Sequence, residues 1–257
     1  MKHEALACEK SGGVALVTFK RLSVGNVVDA QIAQALSDIC VEIGCDSETH
    51  VLVITGSDDK AFSVELGKGT LASGREGLER VGLLSLAAPV ADLVIPVIAA
   101  INGDAIGQGL ELALACDIRV AVEGAEFGLS QIASGFMPCD GGTQRLPRLV
   151  GRGKAMEMLL TGQTVDAAEA YRIGLVSKVV RREELMPTAL DVAQSLASRA
   201  PLAVKYGKEA VLKGMDLTLE QGLRLEADLY FLLQTTQDRT EGIKAFLEKR
   251  HPEFKGA

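Results

Sequence analysis

The chain has 257 residues, 47% of them hydrophobic, so it can bury a substantial core as one large or two small domains. Its net charge of −7 gives no broad positive surface for a nucleic acid backbone. The five cysteines are odd in number and include no CxxC pair, so we expect neither a disulfide framework nor a zinc or other metal site.

The N-terminal residues contain no long apolar run and no Arg- and Ser-rich amphipathic leader, so we expect no targeting peptide. The apolar stretch Leu83–Ala100 is interrupted by Pro89, Asp92 and Pro96, which makes a membrane span unexpected. Scattered, unpaired cysteines fit a reducing compartment. We therefore predict a cytoplasmic protein.

Strand and helix patterns alternate through the first half of the chain. Strands are predicted in chain order at Val14–Lys20, His50–Thr55, Leu93–Ile101 and Ile118–Val122. Helices are predicted between them at Asp29–Val41, with Asp29 as the N-cap, and at Gly77–Val90. This alternation predicts an α/β architecture.

Helical patterns dominate from about Gly141 onward. A composition shift divides the chain into an α/β core at 1–195 and a C-terminal helical region at 196–257, although one continuous fold explains the same shift. The C-terminal stripe recurs at helical spacing and consists of Leu219, Leu223, Ala227 and Tyr230. It fits either a subunit contact or internal core.

The segment Ile95–Asp117 places a predicted strand before a glycine-rich turn, which a helix follows. Such a turn lets bare backbone approach a ligand, and the helix N-terminus directs N–H groups and a positive dipole at it. This arrangement suits an oxyanion. Taken alone, the turn also fits a structural role in which Gly107 and Gly109 ease the packing of helix on strand.

The same segment, IPVIAAINGDAIGQGLELALACD, resembles the pattern P-V-I-A-A-x-x-G-x-A-x-G-x-G-x-E-L-A-x-x-C-D of the enoyl-CoA hydratase/isomerase (crotonase) family. The stretch FGLSQIASGFMPCDGGTQRLPRLVG at 127–151 resembles the next block of that family, and further matches occur at 156–180 and 245–250. The resemblance covers nearly the whole chain. It implies a ββα superhelical spiral core, C-terminal helices that form homotrimers or dimers of trimers, and an acyl-CoA thioester substrate with no separate cofactor.

The resemblance also implies roles for particular residues. Family members stabilise an enolate with two backbone N–H groups, at positions that match Leu66 and Gln108, and standard hydratases position and activate water with two glutamates. Glu111 matches the first glutamate, whereas Gln131 stands at the second. A glutamine can hold a water or a substrate oxygen but transfers no proton, so Glu111 would be the sole acid and base.

Three of these four positions also have structural readings. Leu66 fits an ordinary apolar loop residue, and Glu111 fits a carboxylate stabilised by the helix dipole. Gln131 fits general polarity at the surface or in the core. The resemblance is therefore what favours the functional reading.

Two more carboxylates depart from the family pattern. Asp140 is a catalytic candidate because some isomerase-type relatives place an aspartate at a neighbouring position, although the ungapped register matches that aspartate to Cys139. Alternatively, Asp140 caps the helix that we predict through Thr143–Val150. Glu65 replaces a small residue of the family's A-x-G-A-D turn and is either an extra acid or base or a solvated charge.

The resemblance implies that residues from two subunits hold the coenzyme. The strand end that borders the adenine and pantetheine in relatives matches Lys60, Ala61, Phe62 and Ser63. From a neighbouring subunit, the motif AFLEKR supplies Phe246 and Lys249. Lys249 fits equally well an ordinary solvated helix charge.

Other enzyme classes lack their required residues. A Ser-His-Asp hydrolase needs a positioned histidine, yet His3, His50 and His251 lie near the termini or beside a strand. Residues 20–26, after the first strand, contain no G-x-G-x-x-G, and no P-loop is present.

We predict hydration or dehydration of an α,β-unsaturated acyl-CoA. A cyclic or conjugated dienoyl substrate is considered because the second glutamate is missing and Gly25–Asp29 faintly resembles N-V-L-D of such relatives. One alternative is an enoyl-CoA double-bond isomerase, in which one carboxylate moves a proton between carbons. The other is a catalytically weak acyl-CoA-binding member of the family.

Overall fold

The computed structural model describes residues 6–20, 27–28, 30–57, 61–66 and 85–257, with the backbone alone at 27–28 and 64–66. Its strands are β1 Leu6–Ser11, β2 Val14–Phe19, β3 Val27–Val28, β4 Val51–Gly56, β5 Ala61–Leu66, β6 Val97–Ile101, β7 Asp104–Ile106, β8 Ile118–Val122, β9 Glu126–Gly128, β10 Val165–Asp166 and β11 Lys178–Val180. Its helices are α1 Ala30–Cys45, α2 Ala87–Ala91, α3 Gln108–Ala115, α4 Gly142–Val150, α5 Arg152–Thr161, α6 Ala167–Arg172, α7 Arg182–Ala197, α8 Pro201–Gly214, α9 Leu219–Leu233 and α10 Gln237–Glu248, with a 3-10 helix at Ser130–Ser134.

Successive strands of the chain alternate between two sheets. The larger sheet has the order β1-β2-β4-β6-β8-β11, and the smaller has the order β10-β9-β7-β5-β3. From β4 to β9, each strand of the larger sheet is followed by one of the smaller sheet, and the paired strands within each sheet are parallel. This repeated winding confirms the predicted ββα spiral.

Apolar strands without alternation mark the centre of the core. Strands β4 and β6 are buried along almost their whole length, as expected for parallel strands covered on both faces. Helix α1 buries residues at helical spacing, and α7 covers the larger sheet with Leu185, Ala189 and Ala193. The predicted strands are present, although the third begins at Val97 and not at Leu93.

Parts of two helix predictions lie outside the described residues. Helix α1 begins at Ala30, and its predicted cap Asp29 is not described. Most of the helix predicted at Gly77–Val90 lies in 67–84, which the structure does not describe. In the described part, α2 begins at Ala87.

An ion pair ties the C-terminal helices to the larger sheet. Asp117 accepts a hydrogen bond from the Val97 N–H at 2.7 Å and pairs with Lys208 of α8 at 2.7 Å. The Lys208 ammonium also donates to the Ile95 carbonyl at 2.8 Å. Residue 195 lies in the last turn of α7, and the division at 195 stays a prediction.

The C-terminal stripe lies on the surface of the single chain. Leu219 is 80% exposed, Leu223 55% and Tyr230 60%. The stripe is therefore not internal core of this chain, and its reading as a subunit contact stays a prediction. Among the described helices, none is long and apolar enough to cross a membrane.

Helix α3 approaches β5 so closely that one position tolerates no side chain. Gly107, just before the helix, has a φ of 59° and donates its N–H to the Gly128 carbonyl at 2.9 Å. A Cβ at Gly109 would overlap the carbonyl oxygen of Ser63. The start of α3 is thus held against β5 by backbone contact.

We predict that Gly109→Ala destabilises the fold by about 2 kcal/mol or more, because backbone on both sides must move. Gly207→Ala in α8 is the matched control, since no described atom outside the neighbouring backbone of the helix lies within 4 Å of the added methyl group. The control should leave stability unchanged or slightly raise it. Urea unfolding measures both, and equal midpoints for the two variants would contradict the close approach.

Candidate active site

A buried carboxylate lies at the start of α3. Glu111 is in the first turn of this helix and has no exposed surface. Its Oε1 accepts hydrogen bonds from the main-chain N–H groups of Asp140 at 2.7 Å and Gly142 at 2.9 Å. Its Oε2 accepts one from Nε2 of Gln131 at 3.1 Å. Three donors from two other segments therefore fix this side chain.

The hydrogen bonds make the two oxygens of Glu111 unequal. A carboxylate offers about two acceptor positions on each oxygen. Both positions on Oε1 are used by main-chain N–H groups, which can donate a hydrogen bond but cannot accept one. Oε2 has one donor from the described residues. A proton carried by Glu111 therefore belongs on Oε2.

Burial changes the acidity of Glu111. Desolvation raises its pKa to about 7, and the nearby Asp140 charge acts in the same direction. The hydrogen bonds from Gly142 and Asp140 and the charge of Arg145 oppose that rise. A carboxyl group with a pKa near neutrality can both accept and return a proton at physiological pH.

Gln131 presents an acceptor beside this carboxyl group. It lies in the 3-10 helix, and its NH₂ group must face Glu111 because a carboxylate only accepts hydrogen bonds. Its Oε1 is buried and accepts no hydrogen bond within the part of the chain that the structure describes. This oxygen fits a water or a substrate hydroxyl.

Asp140 does not cap α4, so the predicted capping role is wrong. The N-cap of α4 is Gly141, in the left-handed region and with no side-chain hydrogen bond. Asp140 instead binds the start of α2, where its Oδ2 accepts from the N–H groups of Leu86 at 2.8 Å and Ala87 at 2.9 Å. Its Oδ1 accepts from the Ser85 hydroxyl. A catalytic role for Asp140 stays a prediction.

The elements that carry the two predicted oxyanion donors are in contact. Leu66 is the last residue of β5 and Gln108 is the first of α3. These elements meet where Gly109 packs on Ser63. The oxyanion roles themselves stay predictions.

The predicted coenzyme residues fall into three groups. Lys60 lies outside the described residues. The side chains of Ala61, Phe62 and Ser63 are buried, so their contact with a ligand would use the backbone. On α10 and just after it, Phe246 is 82% exposed and Lys249 is the C-cap. Their coenzyme roles stay predictions.

Two candidates remain, Cys139 and Glu65. Partial burial raises the pKa of the Cys139 thiol, and the Glu111 and Asp140 charges add to the rise, so the thiol stays neutral. Glu65 lies in β5, and its side chain is outside the described residues. No cluster of three or more potential metal ligands occurs among the described residues.

The sequence interpretation missed two residues that support the site. Asn102 joins the end of β4 to the start of β5, since its Oδ1 accepts from the Gly56 N–H at 2.8 Å and its Nδ2 donates to the Ala61 carbonyl at 3.2 Å. Gly142 leaves room for the carboxylate, because a Cβ there would lie 3.1 Å from Oε1 of Glu111. The paired glycines before Thr143 were the available signal.

Comparison with known proteins agrees with this architecture. The family model described as enoyl-CoA hydratase/isomerase matches residues 9–257. The chain is 38% identical to a crotonyl-CoA hydratase of Syntrophomonas wolfei, over 99% of each chain. It is 39% identical to an (E)-benzylidenesuccinyl-CoA hydratase of Thauera aromatica, over 97% of this chain and 98% of that protein.

Solved structures give the same result. The crystal structure of an enoyl-CoA hydratase from Bacillus anthracis superposes with a TM-score of 0.95 at 36% sequence identity. The superposition covers 98% of this chain and 100% of that one. Fold, family pattern and full-length similarity agree, and the chain belongs to the enoyl-CoA hydratase/isomerase (crotonase) family.

Proposed function

We propose that this protein adds water to an α,β-unsaturated acyl-CoA, or removes water from the corresponding hydroxyacyl-CoA. The observation that carries the proposal is the Glu111–Gln131 pair, in which one proton-transferring carboxyl group adjoins a buried amide oxygen. Coenzyme A enters as part of the substrate, and we propose no separate cofactor.

In the proposed reaction, water donates one hydrogen bond to Oε2 of Glu111 and the other to Oε1 of Gln131. Its lone pair attacks the β-carbon, a C–O bond forms, and Glu111 takes the proton. The electrons move into a thioester enolate, whose oxygen is held by the N–H groups of Leu66 and Gln108. Glu111 then returns the proton to the α-carbon, and dehydration follows the same steps in reverse.

The isomerase is the second candidate. One carboxyl group with its proton on Oε2 is sufficient to move a proton between two carbons, so Glu111 alone meets that requirement. The buried Gln131 oxygen favours hydration, because an acceptor at this place matches a water or hydroxyl and has no task in a carbon-to-carbon proton transfer.

The acyl group is proposed to be cyclic or a conjugated dienoyl chain, since glutamine stands at the position of the family's second glutamate. The relatives are named for crotonyl-CoA, which is short and linear, and for (E)-benzylidenesuccinyl-CoA, which carries a ring. Both kinds of acyl group therefore belong in any substrate test.

We also propose a homotrimer or a dimer of trimers in the cytoplasm. The exposed C-terminal stripe supplies an apolar contact surface. In such an assembly Phe246 and Lys249 would reach the coenzyme bound to a neighbouring subunit, beside Lys60 and the strand end at 61–63. The exposure of Phe246 supports this placement.

We predict that Glu111→Gln lowers kcat by about 10³-fold, because the only proton carrier is lost. The variant should fold, since its amide oxygen can accept from Asp140 and Gly142 while the Gln131 amide reverses. Linear 2-enoyl-, 3-enoyl-, cyclic dienoyl- and phenyl-substituted enoyl-CoA thioesters would be followed by absorbance and product mass.

The control for this panel is Glu157→Gln, an exposed glutamate of α5 that pairs with Lys154. It should leave every rate unchanged. Hydrated product identifies a hydratase, whereas a moved double bond identifies an isomerase. Tight coenzyme binding without turnover of any thioester would refute both and leave a binding role.

We predict a pH profile for kcat/KM with one rising limb near pH 7. The raised pKa of Glu111 leaves the carboxyl group protonated below that pH, and only its ionised form can take a proton from water. The rate should fall about tenfold per pH unit below the limb and stay level above it. Stopped-flow rates between pH 5 and 9 measure this, and a limb near pH 4.5 would contradict the assignment.

We predict a different effect for each of two substitutions at Gln131, one on kcat and one on the pH profile. Gln131→Leu should lower kcat about tenfold or more, since Oε2 loses its donor and the water loses an acceptor. Gln131→Glu should convert the single limb into a bell, because one carboxyl must be ionised and the other protonated. Gln144→Leu, at an exposed position of α4, is the control for the loss of an amide. Unaltered rates in all three variants would remove Gln131 from the mechanism.

A further inference from the structure

Asp140 connects the buried carboxylate to another part of the chain. Its main-chain N–H donates to Oε1 of Glu111 at 2.7 Å, while its own carboxylate binds residues 85–87. Only 8% of Asp140 is exposed. Residues 85–87 lead into helix α2. One residue therefore contacts both the proposed acid and the start of that helix.

Both oxygens of the Asp140 carboxylate are held by donors. Oδ2 accepts hydrogen bonds from the N–H groups of Leu86 and Ala87, and Oδ1 accepts one from the Ser85 hydroxyl. The Ser85 hydroxyl in turn accepts from the Ala88 N–H at 3.0 Å. A group held in this way is suited to fixing geometry and not to exchanging protons with a substrate.

We propose that Asp140 is a positioning residue, which holds Glu111 through its main-chain N–H and anchors that N–H by binding its carboxylate to residues 85–87. The inference rests on the proposed function of Glu111. Position 140 departs from the family pattern. We infer that the aspartate there supports a site in which Glu111 transfers the proton.

Two charges act on Glu111 in opposite directions. Asp140 disfavours the ionised form and Arg145 favours it. Arg145 also donates to the Asp140 carbonyl at 2.8 Å, on the same loop. The other titratable residues on the elements and loop around α3 are the neutral thiol of Cys139, Arg148 paired with Asp216, Asp104 bound to the Glu126 N–H, and Glu65, whose side chain is not described.

Asp140→Asn separates charge from geometry. The asparagine Oδ1 can accept from Leu86 and Ala87, and its Nδ2 can donate to the Ser85 oxygen, so the three contacts persist without the negative charge. This variant should retain most of kcat, and its pH limb should move to lower pH, because the ionised form of Glu111 is no longer opposed. Asp140→Ala removes the contacts as well, and its kcat should fall about tenfold to a hundredfold.

Asp166→Asn is the matched control, since Asp166 caps α6 through the Glu169 N–H and is exposed. It should move neither kcat nor the pH limb. If Asp140 itself transferred protons, Asp140→Asn would be as inactive as Glu111→Gln. If Asp140 served only stability, Asp140→Ala would lower the unfolding midpoint with kcat intact, and Asp140→Asn would leave the limb in place. Either result overturns the proposal.

A readout without turnover keeps this test apart from the hydratase test. Carbon NMR of protein labelled at glutamate carboxyl groups reports the titration of Glu111, whose signal is identified by its loss in Glu111→Gln. We expect the midpoint to move to lower pH in Asp140→Asn and to stay in place in Asp166→Asn. An unmoved midpoint in Asp140→Asn overturns the inference whether or not any thioester reacts.

Discussion

The site depends on holding a carboxylate in the interior of the protein. Removing an ionised carboxyl group from water is costly unless hydrogen bonds replace its solvation. Here the replacement comes from two main-chain N–H groups and one amide, all fixed by secondary structure or by neighbouring contacts. The compensation is incomplete, because the pKa of Glu111 is still raised to about 7. A pKa near neutrality is what the proposed role of Glu111 as both acid and base requires.

The spiral of strands supplies the geometry that this carboxylate requires. Each turn lays one strand in each sheet, so β7 ends where α3 can begin against β5, and only a glycine at position 109 permits that approach. Asn102 joins the ends of β4 and β5, and Asp117 fixes the start of β6. A shift of β5 or β7, the strands that contact α3, would move this helix and with it Glu111. The precision of the site is thus a property of the strand register.

Sequence patterns predicted what is local or strongly periodic, and missed what depends on distant partners. Apolar runs such as β4 identified the strands, and the family resemblance carried by the glycine turn singled out Glu111. The capping target of Asp140 was missed because the N–H groups that donate to its carboxylate lie more than 50 residues earlier in the chain. Asn102 was missed for the same reason, since a single buried amide carries no periodic signal. The overall spiral came from the family resemblance and not from the pattern of helices and strands.

The glutamine at position 131 changes more than the number of acids. A second carboxylate within hydrogen-bond distance of Oε2 would repel the charge of Glu111 and force the pair to share a proton. The amide instead donates to Oε2, which favours the ionised form, and it adds no charge of its own. Gln131 therefore removes the second acid from the site, while it increases the ionised fraction of Glu111 near neutral pH. The proposed single-carboxyl mechanism is self-consistent, because in it the proton that Glu111 removes from water is the proton that it later delivers to carbon.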